Sequence, residues 1–238
     1  MRTPIERISK AHVEFVTTGY LRLMEPIAEV LIKLRISANA LTTIGTLSTV
    51  AGGIAFGLGH MHLGGIIVGV TAISDALDGI VARKSGQVTI FGAFYDSSLD
   101  RIADGALLAG LAFFYATDPV HHSMPLLVMC LVGMIGTFMV SYTRSRAEAL
   151  GINAKVGVMQ RAERVILLVV PQALFGLALN GWVLAIVVTL LTVTAWITAC
   201  QRINFVRRST TLDLPAPFRV LSDEPPAAPR SASRRAQP

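Results

Sequence analysis

Long, mainly apolar runs follow one another along the chain, separated by short polar or glycine-containing links. Each run is close to the roughly 20 residues that a transmembrane helix needs. The pattern therefore predicts an all-α integral membrane protein with six transmembrane helices. The predicted spans cover residues 38–59, 61–82, 92–116, 124–147, 162–180 and 182–205.

The two ends of the chain have different patterns. Residues 11–35 mix apolar and charged positions at helical spacing, which predicts an amphipathic helix lying at the membrane interface. The proline- and arginine-rich end of the chain is typical of a disordered tail. We therefore predict an interfacial segment (1–35), a six-helix membrane domain (36–206) and a cytoplasmic tail (207–238).

Lysine and arginine fall on every second link between the predicted spans. The links near residues 60, 118–123 and 180 contain neither, whereas the remaining links and both flanks contain several. Under the positive-inside rule both termini are then cytoplasmic, which requires an even number of spans. The charge pattern thus supports six spans independently and predicts a multi-pass protein of the cell membrane.

Composition agrees with a membrane location. The chain of 238 residues is 53% hydrophobic and 15% charged, whereas soluble domains average about 25% charged residues. A net charge of +6 could reflect nucleic acid, anionic lipid or a phosphorylated substrate. Because the positive residues lie mainly on alternate links and at the flanks, we expect membrane lipids and a phosphorylated substrate as partners, and no nucleic acid.

Carboxylates inside the second and third predicted spans are the main candidates for chemistry. A charged side chain at the centre of a membrane helix costs about 2.5–3.5 kcal/mol, so it needs a wet cavity, a cation or a metal. Asp75 and Asp78 are three residues apart and Asp96 and Asp100 are four apart, so each pair shares a helix face. Two antiparallel helices could bring these four together as an all-oxygen site for Mg²⁺, Mn²⁺ or Ca²⁺.

The same aspartates could instead relay ions in an ion or metal transporter. Small residues beside them favour a ligand site, because Gly79 and Gly92 cost helix stability, about 1 kcal/mol each against alanine, unless something must approach closely. Ala82 is also small, and Arg83 offers a planar fork suited to phosphate. The combination favours a nucleotide diphosphate over a cation path.

These positions form a single spaced pattern, Asp75-x2-Asp78-Gly79-x2-Ala82-Arg83-x8-Gly92-x3-Asp96-x3-Asp100. It resembles the complete signature of the CDP-alcohol phosphotransferase family at all eight fixed positions. The resemblance implies about six spans, a cytoplasmic active site and transfer of a phosphatidyl-like group from a CDP-lipid to an alcohol, with release of CMP. It also implies a homodimer.

The resemblance assigns roles to the motif residues. It implies that Mg²⁺ or Mn²⁺, as two divalent ions, is held by Asp75, Asp78, Asp96 and Asp100. It implies that Asp100 is also the general base. The implied CDP-lipid site is formed by Asp75, Asp78, Gly79, Ala82, Arg83 and Gly92.

Asn39 and Thr42 are further candidates for contact with the nucleotide or the acceptor. They lie where relatives often have a Pro-Asn or Pro-Asp pair, although Ala38 stands here in place of the proline. Helix capping by Ser37 or Asn39 explains the segment equally well.

A cluster of basic and polar residues near the predicted cytoplasmic face suggests the acceptor site. Arginine clusters bind phosphate through charge-assisted, forked hydrogen bonds, which predicts a phosphorylated acceptor. Topology alone also places arginines at cytoplasmic helix ends, so this second explanation stays open. The candidate acceptor-binding residues are Ser141, Arg144, Arg146, Arg161, Arg164 and Arg202.

The segments that carry these residues resemble the phosphatidylinositol-phosphate synthase branch of the family, including archaeal ether-lipid relatives. The resemblance rests on the runs Ser141–Glu148, Arg161–Arg164 and Gln201–Arg202. It implies CDP-diacylglycerol or a CDP-ether lipid as donor and inositol 1-phosphate as acceptor. Ala162 replaces a proline of that branch, and Arg144 stands where some members have lysine. Glycerol 3-phosphate, as in a phosphatidylglycerophosphate synthase, therefore remains the alternative acceptor.

Overall fold

A computed structural model describes residues 24–86 and 88–211, except for the side chains of residues 73–76, 78 and 211. Over these residues the structure is all-helical and contains no strand. A short 3-10 turn, Leu179–Gly181, precedes the last helix. The helices are α1 (24–33), α2 (Ala38–Gly57), α3 (Met61–Lys84), α4 (Ile90–Thr117), α5 (Met124–Ala149), α6 (Arg161–Phe175) and α7 (Trp182–Thr211).

Three helical segments in the described part of the chain are long and apolar enough to cross a membrane: Ala38–Gly57, Met124–Ala149 and Leu179–Thr210. Helix α3 contains the apolar segment Met61–Ala72, and the charged motif residues follow it. With 15 residues, α6 is about 22 Å long, shorter than the hydrocarbon core of roughly 30 Å. The structure thus supports an all-helical membrane protein with three candidate spans.

Helix α2 lies between α3 and α4 and contacts both. A methyl group at Gly110 of α4 would lie 2.0 Å from the carbonyl oxygen of Gly53, and one at Gly53 would lie 2.6 Å from that of Ala106. The backbones of α2 and α4 therefore touch directly. Such small-residue contacts are typical of membrane helices, which gain stability mainly by close packing.

The largest cluster of buried apolar residues lies at the end of the bundle opposite the aspartate motif. It includes Phe56 near the end of α2, Leu111 and Phe114 in the second half of α4, and Leu184 and Val188 in the first half of α7. This packing fixes the helices relative to one another at that end. The motif lies near the other end, where the aspartate side chains of α4 range from exposed to buried.

Helix α1 packs on the motif end of α3. Met24 and Ala28 are buried against Ile80 and Val81. The ammonium group of Lys84 lies 2.5 Å from the Glu25 carboxylate and 3.4 Å from that of Glu29. These two ion pairs connect α3 to α1. A second apolar face is exposed, formed by Ile27 and Val30 of α1 and by Leu34 directly after it.

The predicted segment boundaries differ in detail from the structure. Residues 1–23 and 212–238 lie outside the described part of the chain. They include most of the predicted interfacial segment (1–35) and most of the predicted tail (207–238). Helix α7 continues to Thr211, past the predicted end of the membrane domain at residue 206. The fifth predicted span, 162–180, contains a helix that ends at Phe175, because Gly176 adopts a positive φ of 51°.

Candidate active site

The first half of the aspartate motif belongs to the last turns of α3. The side chains of Asp75 and Asp78 lie outside the described residues, so their predicted metal ligation stays a prediction. A methyl group at Gly79 would lie 3.3 Å from a terminal nitrogen of Arg83. The Arg83 guanidinium therefore folds back over Gly79, next to the half-buried Ala82, and this glycine leaves room for it.

The second half of the motif begins where Thr89 caps α4. The Gly92 amide donates a hydrogen bond to the Thr89 hydroxyl, at 2.9 Å. A methyl group at Gly92 would lie 3.4 Å from the side-chain oxygen of Asn39 on α2. One turn further along both helices, the Thr43 and Tyr95 hydroxyls are 2.9 Å apart. Two residues of the predicted donor site, Asn39 and Gly92, are thus neighbours although they are distant in sequence.

The remaining upstream residues have local roles. Ser37 caps α2, because its hydroxyl accepts a hydrogen bond from the Ala40 amide at 3.2 Å. Thr42 is buried, and its hydroxyl donates to the Ala38 carbonyl at 3.0 Å. Of the two capping candidates, Ser37 is therefore the cap.

Three aspartates lie at successive turns of α4 and differ in exposure. Asp96 is exposed, the Asp100 side chain is 21% exposed and Asp104 is buried. The motif offers carboxylate oxygens without thiolate or imidazole, a donor set that suits Mg²⁺ or Mn²⁺. Within the described residues no three acidic, histidine or cysteine side chains converge on one point. A complete site would therefore require ligands from the motif end of α3 as well.

Arg161, at the start of α6, joins two of these aspartates. Its terminal nitrogen Nη1 lies 3.0 Å from Asp100 Oδ1, and its Nε lies 3.3 Å from Asp104 Oδ1. Arg101 approaches the other Asp100 oxygen at 3.5 Å. The backbone amide of Gln160 donates to the Glu163 carboxylate at 2.7 Å, which caps the N-terminus of α6.

Arg164 lies one turn further along α6 and is 8% exposed. It borders a cavity of about 40 Å³ that is also lined by Asp104 and Thr137. Among the described residues, Arg164 Nε and Nη1 and Asp104 Oδ2 have no hydrogen-bond partner. A buried polar group without a partner is costly, and a cavity of this size admits water. Water would therefore satisfy all three atoms, and an anionic oxygen would satisfy the two Arg164 donors.

The other predicted acceptor residues lie on α5 and α7. Arg202 is buried and donates to the backbone carbonyls of Val140 and Val156. Arg144 and Arg164 are close enough to Arg202 for their charges to interact. These contacts connect Arg202 to the last turns of α5 and to the segment before α6.

The last turns of α5 carry three of the predicted residues. Arg144 is exposed and pairs with Glu148 at 2.9 Å. The Ser141 hydroxyl donates to the Thr137 carbonyl at 3.4 Å, and Arg146 is exposed. Asp104, an aspartate outside the motif, has Arg161 as its ion-pair partner.

Comparison with known proteins gives one family match over most of the chain. The family model described as CDP-alcohol phosphatidyltransferase matches residues 35–213. Phosphatidylinositol phosphate synthase of Mycobacteroides abscessus is 35% identical over 197 residues, which cover 82% of this chain and 89% of that protein. The enzyme of the same name from Cutibacterium acnes is 34% identical over 205 residues, covering 83% and 98% respectively.

Solved structures of a relative are similar as well. The crystal structure of phosphatidylinositol phosphate synthase from Mycobacterium tuberculosis with CDP-DAG bound has a TM-score of 0.74 at 32% identity, covering 82% of this chain and 100% of that one. The structure of the same enzyme in complex with manganese and citrate has a TM-score of 0.73 at 31% identity, covering 81% and 93%.

Proposed function

Because the chain belongs to the CDP-alcohol phosphatidyltransferase family, we propose that it transfers a phosphatidyl group, or its ether-lipid equivalent, from CDP-diacylglycerol to inositol 1-phosphate and releases CMP. The observation that carries the choice of a phosphorylated acceptor is Arg164, a buried guanidinium with two unpartnered nitrogens, one turn from the arginine that binds Asp100. A neutral acceptor would not require it.

The carboxylates Asp75, Asp78, Asp96 and Asp100 would hold Mg²⁺ or Mn²⁺, as two ions. When bound, such ions stabilise negative charge on the attacking and leaving oxygens of a displacement at phosphorus. The donor set of hard oxygens fits these metals. The relative from M. tuberculosis, solved with manganese, supports the assignment.

Asp100 would accept the proton of the acceptor hydroxyl as the general base. Its position supports this role: it is partly buried but still reachable, with 21% of its side chain exposed. Arg161 and Arg101 flank its two oxygens and keep the carboxylate in one orientation. A base must lie within hydrogen-bond reach of the proton that it removes, and a fixed orientation favours that contact.

The donor site would combine residues of three helices. Asn39 from α2 lies beside Gly92 of α4, and Arg83 lies over Gly79 on α3. Glycine at these positions leaves room for the nucleotide to approach the backbone. A planar guanidinium binds diphosphate oxygens well, which fits Arg83. Thr42 and Ala82 would complete the wall of the site. The relative with CDP-DAG bound supports this donor.

The acceptor site would use the arginines around α6. Arg164 would bind the acceptor phosphate, with Arg161 beside it. Further contacts would come from Ser141, Arg144, Arg146 and Arg202. Because arginines recognise the phosphate and not the polyol, glycerol 3-phosphate is the second candidate acceptor.

We also propose that all six helices α2–α7 cross the cell membrane, with both termini and the active site on the cytoplasmic side. The alternation of basic links supports this topology. Helix α1 would lie in the interface, since the face of Ile27, Val30 and Leu34 is exposed while the opposite side of α1 packs on α3. By family resemblance the protein would be a homodimer.

The direct test is CMP release by the purified protein in detergent with CDP-diacylglycerol, Mg²⁺ or Mn²⁺, and either inositol 1-phosphate or glycerol 3-phosphate. Release with inositol 1-phosphate supports the proposal, whereas release only with glycerol 3-phosphate overturns the acceptor. Metal flux into vesicles without CMP release from any acceptor would favour a transporter instead.

The acceptor pocket itself is tested by Arg164→Ala. We expect this variant to raise the KM for the phosphorylated acceptor at least about 10-fold, since charge-assisted bonds contribute about 1.5–3 kcal/mol each. The matched control is Arg207→Ala, which removes an exposed arginine at the end of α7. An unchanged KM in Arg164→Ala would exclude this residue from the pocket.

A further inference from the structure

Asp104 is a buried carboxylate that the family signature does not include. It lies one helical turn after Asp100 on α4 and is 8% exposed. A buried carboxylate in a membrane protein is costly and persists where it is paired or functional. Its surroundings therefore indicate what it does.

The partner of Asp104 is the same guanidinium that binds Asp100. Arg161 contacts Asp104 through Nε at 3.3 Å and Asp100 through Nη1 at 3.0 Å. These two nitrogens belong to one rigid, planar group. A carboxylate that holds Nε therefore also sets the direction in which Nη1 points.

The local charge balance depends on Asp104 as well. Arg101, Arg161 and Arg164 face Asp100 and Asp104, and Asp96 is a third carboxylate close enough to interact with Asp100, so the charges in this cluster balance. Without Asp104, the guanidinium groups would exceed the carboxylates by one. Arg161 would then lose the contact at its Nε, and repulsion between the arginines would favour a turn of its guanidinium.

We propose that Asp104 is a positioning residue for the transfer reaction: it holds Arg161 by its Nε, so that Nη1 keeps the Asp100 carboxylate in one orientation. This inference rests on the proposed function, because it takes Asp100 as the base. Asp104 acts through Arg161 and does not touch the substrates. Its unpartnered Oδ2 faces the cavity beside Arg164, where water can bridge the two.

The first test is Asp104→Asn, which keeps the size of the side chain and removes its charge. We expect kcat to fall about 10- to 100-fold, as for other small misplacements of catalytic groups, while the KM for CDP-diacylglycerol changes less than about 2-fold. The control is Asp118→Asn, the same exchange at the C-terminal cap of α4, which should leave kcat unchanged. A wild-type kcat in Asp104→Asn overturns the proposal.

A double-mutant cycle with Arg161→Gln separates positioning from a general structural role. If Asp104 acts through Arg161, then Asp104→Asn should not lower kcat further in the Arg161→Gln background. If the two substitutions instead lower kcat by factors that multiply, the proposal is overturned. The double variant removes both members of the Arg161–Asp104 pair, so neither is left without the other, and it remains informative if Asp104→Asn alone fails to fold.

The proposed function and this inference fail in different ways. If the wild-type protein releases no CMP with inositol 1-phosphate, the choice of acceptor is wrong, and the cycle is measured with whichever phosphorylated acceptor supports release. Independently of turnover, titration with CDP-diacylglycerol should give the same affinity, within about 2-fold, for wild type and Asp104→Asn. A lost affinity would contradict a role confined to Arg161.

Discussion

At the scale of single residues, the aspartates of α4 show how a membrane helix accommodates several carboxylates. Asp100 and Asp104 share Arg161, and Asp100 also contacts Arg101. Sequence reasoning predicted compensation by cations, a wet cavity or metal, and for these two the structure provides cations. Asp96 is exposed and has the least protein around it, which fits its proposed role as a metal ligand.

The proposed base is tested by Asp100→Asn. The amide keeps a hydrogen-bond acceptor for Arg161 but cannot take up the proton of the acceptor hydroxyl. We expect kcat to fall about 10²- to 10⁴-fold, with CDP-diacylglycerol still bound. CMP release and ligand titration in detergent measure the two quantities. Full activity would contradict the base assignment, and loss of binding would indicate that Asp100 acts mainly as a metal ligand.

Metal dependence is expected to follow the same carboxylates. A chelator should abolish CMP release, and added Mg²⁺ or Mn²⁺ should restore it, because the implied site contains only hard oxygen donors. Asp96→Asn should raise the metal concentration that gives half-maximal rate by at least about 10-fold. Asp118→Asn, with an aspartate outside the motif, provides the control. Undiminished activity in the chelator would contradict the metal assignment.

At the scale of helices, the apolar runs predicted where most elements lie, since lipid-facing helices need long apolar stretches. The end of α6 was missed because residues 176–180 remain mostly apolar, and composition cannot distinguish a turn from a helix there. The positive φ angle of Gly176 ends the helix early, and Leu179 and Asn180 in the turn that follows also have positive φ angles. The pairing of helices was also beyond the sequence, because it depends on contacts such as that of Gly53 with Gly110.

The contact between α2 and α4 predicts a sensitive position. Gly110→Ala would place a methyl group 2.0 Å from the Gly53 carbonyl oxygen, so the two helices must move apart. We expect a loss of about 1–3 kcal/mol, measured as a lower thermal midpoint in detergent. Gly105→Ala on the same helix is the control, because its methyl group would meet only the ring edge of Phe138, at 3.1 Å. Equal stability of both variants would contradict the packing argument.

At the scale of the whole molecule, packing and chemistry occupy opposite ends of the bundle. The largest apolar cluster lies away from the motif, and the motif end contains the ion pairs, the cavity beside Arg164 and helix α1. The basic links also lie at the motif end. Under the positive-inside rule, the site would open to the cytoplasm, as in the proposed topology.

The short helix α6 makes the proposed six-span topology testable at one point. With Cys130 and Cys200 replaced by alanine, we would introduce single cysteines as Val120→Cys, Lys155→Cys and Ala178→Cys, all at exposed positions. A membrane-impermeant maleimide added to intact cells should label residues 120 and 178, and should label residue 155 only after permeabilisation. Residues 120 and 155 are separated by α5 and residues 155 and 178 by α6.

If residue 178 is labelled only after permeabilisation, like residue 155, then α6 does not cross the membrane and the count of six spans is wrong. The physical reason would be the length of α6, since 15 residues are too few to span the hydrocarbon core. If 120 and 178 are both protected and 155 is labelled, the orientation is inverted and the site faces outwards.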